Sequence, residues 1–234
     1  MKKKQLLSFI KNEDLYKHVE TVLIVAKNAT IDTEEKLYDN VVDPFSALFD
    51  ALSQAITLSE WIKQEKSRQI QKTLQNAIGE FHQNILGSIP GWLNLKTGSV
   101  LDLSNKKRKI IAEVKNKYNT TKGNHKIAIY DDFKKLLDTD YKGFVAYYVE
   151  IIPKGEKSYN LPFVPSDNKK SKRRSKNENI RVIDGKSFYA LAGSRKNGLR
   201  ELYVALPIAI GDILKRPVRI NASKEFLSLF EKAY

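Results

Sequence analysis

At 234 residues the chain is long enough for one substantial core, and 41% hydrophobic with 29% charged residues excludes disorder of the whole chain. A formal net charge of +14 points to a polyanionic partner, and nucleic acid fits better than membrane because no strongly amphipathic basic helix is visible. Cysteine is absent, which excludes disulfides, thiolate catalysis and cysteine-ligated zinc; His18, His82 and His125 lack the spacing of a histidine-built zinc site.

Lys2–Lys4 imitate the start of a signal peptide, but the apolar stretch Gln5–Ile10 is short and closed by Lys11. No run approaches the length of a membrane span, so a cytoplasmic protein without a membrane partner is expected. Residues 1–42 read as a helical extension, with Leu15, Val19, Val22, Leu23 and Ala26 at helical spacing. Asp43-Pro44 is a helix start signal, with Asp as N-cap and Pro at the first helical position, and a single domain is expected over 43–234. That helix is expected to reach about Leu58. Thr57-x-x-Glu60 fits a capping box and opens a second helix to Leu86, before Gly87 and Pro90. Within it Ile70, Leu74, Ala77, Ile78, Phe81 and Ile85 form one stripe. Glu80 lies about 100° from the stripe centre, where a carboxylate can turn inward to a metal or simply meet solvent. His82, on the opposite flank, reads as a surface or packing residue.

The most informative stretch follows. Val100–Leu103 reads as a strand, Ser104–Lys107 as a turn, and Arg108–Lys115 as a second strand carrying Ile110, Ile111, Ala112 and Val114. Strand alternation puts Glu113 and Lys115 on one face, and the hairpin brings Asp102 alongside. Two carboxylates beside an ammonium suit a hard divalent cation with a water held against it, the apparatus of metal-assisted phosphodiester hydrolysis. Acid-x-Lys occurs six times in the chain, and only Glu113 stands in an apolar strand with another acid upstream at hairpin spacing.

Beyond the hairpin, Ile127–Leu137 reads as a helix and Gly143–Ile152 as a buried central strand, an order that predicts an α/β core with a crossover. Pro153, Gly155, Pro162 and Pro165 punctuate a basic loop at about 153–179, in which Lys169–Lys176 carries six basic residues in eight. Lys169, Lys170, Lys172, Arg173, Arg174 and Lys176 are candidates to clamp phosphates; the alternative is a plain solvated loop. Asn179–Asp184 resumes as a strand, and Phe188–Leu191 and Leu199–Leu214 read as helices. Arg216–Ile220 reads as extended, and Ser223 as the cap of a last helix through Phe230.

Asp102, ten residues, then Glu113-Val114-Lys115 resembles the PD-(D/E)XK nuclease signature, with Leu101 where its Pro would stand. The longer string AEVKNKYNTTKGNHK, preceded by QKTLQNAIGEFHQNILGSIPGW, is similar to a family of type II restriction endonucleases that cut GGNCC or GGWCC palindromes. The likeness runs from about Asp43 to the C-terminus. It implies a restriction-endonuclease-like α/β core, a central mixed sheet flanked by helices, behind a helical N-terminal region. It further implies Mg2+-dependent cleavage of double-stranded DNA leaving 5′-phosphate ends, with Mn2+ tolerated, and a companion DNA methyltransferase in the same cell. Asp102, Glu113 and the main-chain carbonyl of Val114 would hold the cation, and Lys115 would orient the attacking water. Several nucleases of that superfamily place an acid where Glu80 stands. A palindromic target implies a homodimer. Asn116, Lys117, Asn119 and Thr120 lie just past the catalytic strand, where they serve DNA contact or turn chemistry. Arg181, Arg195, Lys196, Asn197 and Arg200 are candidate base readers. Two other readings remain open here: a repair or junction-resolving nuclease of the same superfamily, and a non-catalytic basic DNA-binding protein.

Overall fold

The computed structural model describes residues 4–95, 100–167, 172–216 and 220–234. The chain divides into two compact units, residues 1–19 with 81–234, and residues 20–80. Helices α1 (Asn12–Glu35) and α3 (Leu58–Gly87) contribute to both, and α2 (Pro44–Ser53) belongs to the second. Among the described residues no helix is long and apolar enough to cross a membrane.

The helix signals of the 20–80 unit act as their chemistry dictates. The Asp43 carboxylate accepts from the N–H groups of Phe45 and Ser46 at 3.0 and 3.3 Å. Thr57 N–H donates to Glu60 Oε2 at 2.8 Å and Glu60 N–H to Thr57 Oγ1 at 3.3 Å, closing both halves of the capping box. Helix α2 ends at Ser53 rather than Leu58, because Ala55 turns into the left-handed region at φ 53°. Ala47, Ala51 and Trp61 are buried together, with Val42, Ile56 and Ile62 packed against them. Glu65 and Gln69 continue the buried face of α3 from Trp61, and Arg68 pairs with Glu65 at 2.5 Å.

The larger unit is built on strands β1 (Leu93–Asn94), β2 (Leu103–Asn105), β3 (Ile110–Lys117), β4 (Val145–Ile152), β5 (Asn160–Pro162) and β8 (Ile180–Asp184). They form one sheet in the order β1-β2-β3-β4-β8-β5. The pairs β3–β4 and β4–β8 are parallel, and the outer pairs antiparallel. The expected crossover is present: helix α4 (Gly123–Asp138) links β3 to β4 and lays Tyr130 and Phe133 on Ile111, Tyr148 and Ile180. Helix α5 (Gly185–Gly193) contributes Phe188, which meets the rings of Trp92 and Tyr147. Its first residue must be glycine, because a Cβ on Gly185 would collide with the carbonyl of Ile151. Helices α6 (Gly198–Ile213) and α7 (Ile220–Ala233) complete the unit.

Three local expectations are corrected. The first strand of the hairpin is Leu103–Asn105 and its turn lies at residues 106–109, two residues later than read from the sequence. Asn105 Oδ1 accepts from Arg108 N–H at 2.9 Å and Lys109 takes φ 53°, which closes the turn there. The segment 153–179 carries β5 and a separate pair, β6 (Ser166–Asp167) with β7 (Lys172–Arg173), rather than loop throughout. The last helix begins at Ile220, so neither an extended Ile220 nor a cap at Ser223 holds; residues 217–219 lie outside those described.

Candidate active site

The registers place the predicted catalytic residues together. Asp102 stands at the entrance to β2, its N–H donating to Ala112 at 3.0 Å and its carbonyl accepting from Leu95 at 2.8 Å. Pinned between β1 and β3, its side chain turns along β3, and Oδ2 accepts from the Val114 N–H at 2.7 Å. On β3, Ile110, Ile111 and Ala112 are buried, and Glu113 and Lys115 emerge half-buried towards the C-terminal end. Lys115 Nζ meets Glu113 Oε1 at 2.6 Å. The carboxyl groups of Asp102 and Glu113 lie within hydrogen-bonding reach of one another.

This pair is electrostatically frustrated. Burial lifts the Asp102 carboxyl above its ordinary range, against the pull of the Val114 N–H and the Lys115 charge. Burial and the neighbouring Asp102 charge push Glu113 up to about 7, with Lys115 opposing. Two hard oxygen donors forced together, with one ammonium for two charges, form a donor set that fits a divalent cation. Among the described residues no three of His, Cys, Asp or Glu are gathered as a metal site. Glu80 is exposed on α3.

Comparison with known proteins now decides the family. Residues 7–215 match the pattern of the Eco47II restriction endonuclease family. The chain is 42% identical to the type II restriction enzyme Eco47II of Escherichia coli, covering 98% of this chain and 99% of that protein. It belongs to the Eco47II restriction endonuclease family. It is also 28% identical to the type II restriction enzyme Sau96I of Staphylococcus aureus, over 97% of this chain and 89% of that one. No solved structure matches significantly.

The other candidate residues of this Eco47II-family chain are placed unevenly. Asn119 and Thr120 sit in an exposed turn, where Thr120 Oγ1 donates to the Lys117 carbonyl at 2.8 Å, and Asn116 and Lys117 are half-buried on β3. Within the basic run, Lys169 and Lys170 lie outside the described residues, and the Lys172 backbone is in β7. Arg173 is exposed and Lys176 pairs with Glu178 at 2.7 Å. Arg174 is employed internally, binding Asp131 at 2.7 and 2.8 Å and Asp167 at 3.2 Å. Arg181 braces the sheet edge through Asn160 at 2.6 Å and Glu178 at 3.0 Å. Arg195 pairs with Glu201 at 3.1 Å and Arg200 with Glu231 at 2.8 Å, beside exposed Lys196 and Asn197.

Sequence reading missed the polar row beside the site. Lys115 is opposite Glu150 on β4, and Glu150 is opposite Asp184 on β8. Glu150 is buried between Lys126 Nζ at 2.8 Å and Tyr159 OH at 2.5 Å. Asp184 is fully buried, accepting from Tyr159 N–H at 2.8 Å and, as the N-cap of α5, from Ser187 N–H at 3.0 Å. The signal was present: Glu150 is the one charged residue in Gly143–Ile152. His82 is a packing residue; its Nδ1 meets Tyr189 OH at 2.8 Å, and burial lowers it to about 4.

Proposed function

We propose that Asp102, Glu113 and Lys115 form the catalytic centre of this restriction endonuclease, acting with Mg2+ on a short DNA palindrome of the GGNCC or GGWCC kind. The observation that carries the reading is the convergence of two half-buried carboxyls and one ammonium at the mouth of β2 and β3. Asp102 and Glu113, with the main-chain carbonyl of Val114, would hold the cation. When bound, it would polarise the scissile phosphate and acidify a water. Glu113, lifted to about 7 by burial and Asp102, would give up its proton on becoming a ligand. Lys115, held by Glu113, orients the attacking water and balances charge on the pentavalent transition state. Attack at phosphorus expels the 3′-oxygen and leaves a 5′-phosphate.

A chain of net charge +14 collects DNA electrostatically. Exposed Arg173, Lys196 and Asn197 are available to it, whereas Arg174 and Arg181 serve first to hold β6, β7 and the edge of the sheet. Two copies on a two-fold palindrome would place one centre on each strand. The protein would require a companion methyltransferase to protect host DNA. Digestion of phage DNA by the purified protein tests the reading: discrete fragments with magnesium and none with EDTA are expected. A smear, or cleavage that survives EDTA, would overturn it.

A further inference from the structure

Helix α2 is built inside out for a surface helix. Phe45, Leu48, Phe49 and Leu52 are 73, 56, 75 and 70% exposed, while the opposite side buries only Ala47 and Ala51 against Trp61. Their spacing of three, one and three residues puts all four on one stripe about 100° wide. The stripe carries no charge. Asp50, the only ionised residue of the helix, lies on the opposite side and accepts from Trp61 Nε1 at 3.0 Å. Val41 and Leu58, which flank the helix in the chain, are 98 and 63% exposed. A stable helix that buries alanines and shows its phenylalanines to water has a further partner.

We propose that this face of α2 is the contact between two copies of the chain, rotated by a two-fold axis so that stripe packs on stripe. The proposal rests on the reading of a palindromic target, and it names the surface that pairs the subunits. Three observations select a second copy. Each molecule carries a net charge of +14, so two copies repel unless they meet where charge is absent, and this uncharged stripe provides that. A membrane-surface helix would present Lys or Arg on its polar side, and α2 has neither. The area also suffices. At roughly 150 Å² for each fully exposed large apolar side chain, the four stripe residues offer on the order of 400 Å² per copy, and a contact that extends over Val41 and Leu58 at the helix ends offers on the order of 600 Å². Burying both faces removes on the order of 1,200 Å², the lower end of specific protein–protein interfaces. An uncharged stripe is self-complementary under a two-fold rotation, as an isologous contact requires.

Sedimentation equilibrium of the full chain tests this, alone and on a duplex carrying GGACC. The wild type should be a dimer, and Leu48→Glu with Phe49→Glu should be monomeric, its dissociation constant raised at least a thousandfold. The milder pair Leu48→Ala with Phe49→Ala keeps helix propensity and should weaken the dimer at least tenfold. Both variants should retain the circular dichroism of the parent, since the altered side chains face water in the single chain. A wild-type dimer with unweakened Leu48 and Phe49 variants would overturn the α2 interface and leave the two-fold reading standing. A wild type that stays monomeric both alone and on DNA would overturn that reading and the interface together.

Discussion

Replacing Glu113 by Gln should stabilise the cation-free protein at alkaline pH and leave it unchanged in acid. Glu113 ionises at about 7 in the folded chain against an ordinary 4.5, chiefly because it is buried and faces Asp102. The folded state therefore holds this proton more tightly than the unfolded state. Between 4.5 and about 7 stability falls as pH rises, and above that range the loss is complete and constant. At about 1.4 kcal/mol for each pH unit of displacement, the loss at pH 8 is on the order of 3 kcal/mol. Gln cannot ionise, keeps the shape, and can still donate to Asp102, so the variant escapes this cost.

Urea unfolding in EDTA at pH 4 to 8 measures the effect as the stability difference between the two proteins. That difference should be near zero at pH 4 and reach about 3 kcal/mol in favour of the variant at pH 8. His82, lowered to about 4 by burial, gives both proteins a slope of the opposite sign, which cancels in the difference. A difference that does not change with pH would refute the claim that burial and Asp102 strain Glu113.

Asp102→Ala and Glu113→Ala should each abolish plasmid cleavage while gel-shift affinity for DNA stays level or rises, because negative charge facing phosphate is removed. Lys115→Ala should lose most activity yet still bind the cation, read by calorimetry. Neutralising Arg173 with Lys169, Lys170, Lys172 and Lys176 should weaken binding to all sequences alike and flatten its salt dependence; a selective loss at one site would make this run a base reader. Lys126→Ala leaves Glu150 buried with only Tyr159 against it and should cost about 3 kcal/mol in urea unfolding. An unchanged midpoint would show that Glu150 is hydrated.

The parts of the fold legible in the sequence were those with local causes. Asp43-Pro44 and Thr57-x-x-Glu60 announce helix starts because the bonds they make span two or three residues. The crossover from β3 through α4 to β4 was legible because apolar runs of the right length alternate with a helical pattern. The hairpin was found but set two residues early, since the Asn105 side chain closing its turn competes with Ser104 for the same role. The pairing of Glu150 with Lys126, 24 residues earlier, depends on how helix α4 is laid against β4, which no local pattern encodes. Arg174 likewise reads as one more cation in a charge run until Asp131 and Asp167 are brought to it.

Three groups of buried or half-buried acids lie along the β2–β3–β4–β8 part of the sheet, and their compensation separates structure from chemistry. Asp184 is answered by two backbone N–H donors and closes the start of α5. Glu150 is answered by an ammonium and a phenol, one for each oxygen. Both arrangements are balanced without help, and each ties together segments distant in the chain. Asp102 and Glu113 differ, because two carboxyls share one lysine and one backbone N–H, and each is lifted above its ordinary ionisation range. A fold that could satisfy Glu150 and Asp184 nearby leaves this pair short of positive charge, which costs stability while no cation is bound. On the proposed reading, a divalent cation held by the pair would remove that cost and reverse the local repulsion of phosphate. The same deficit that strains the resting protein would then make DNA cleavage conditional on the ion.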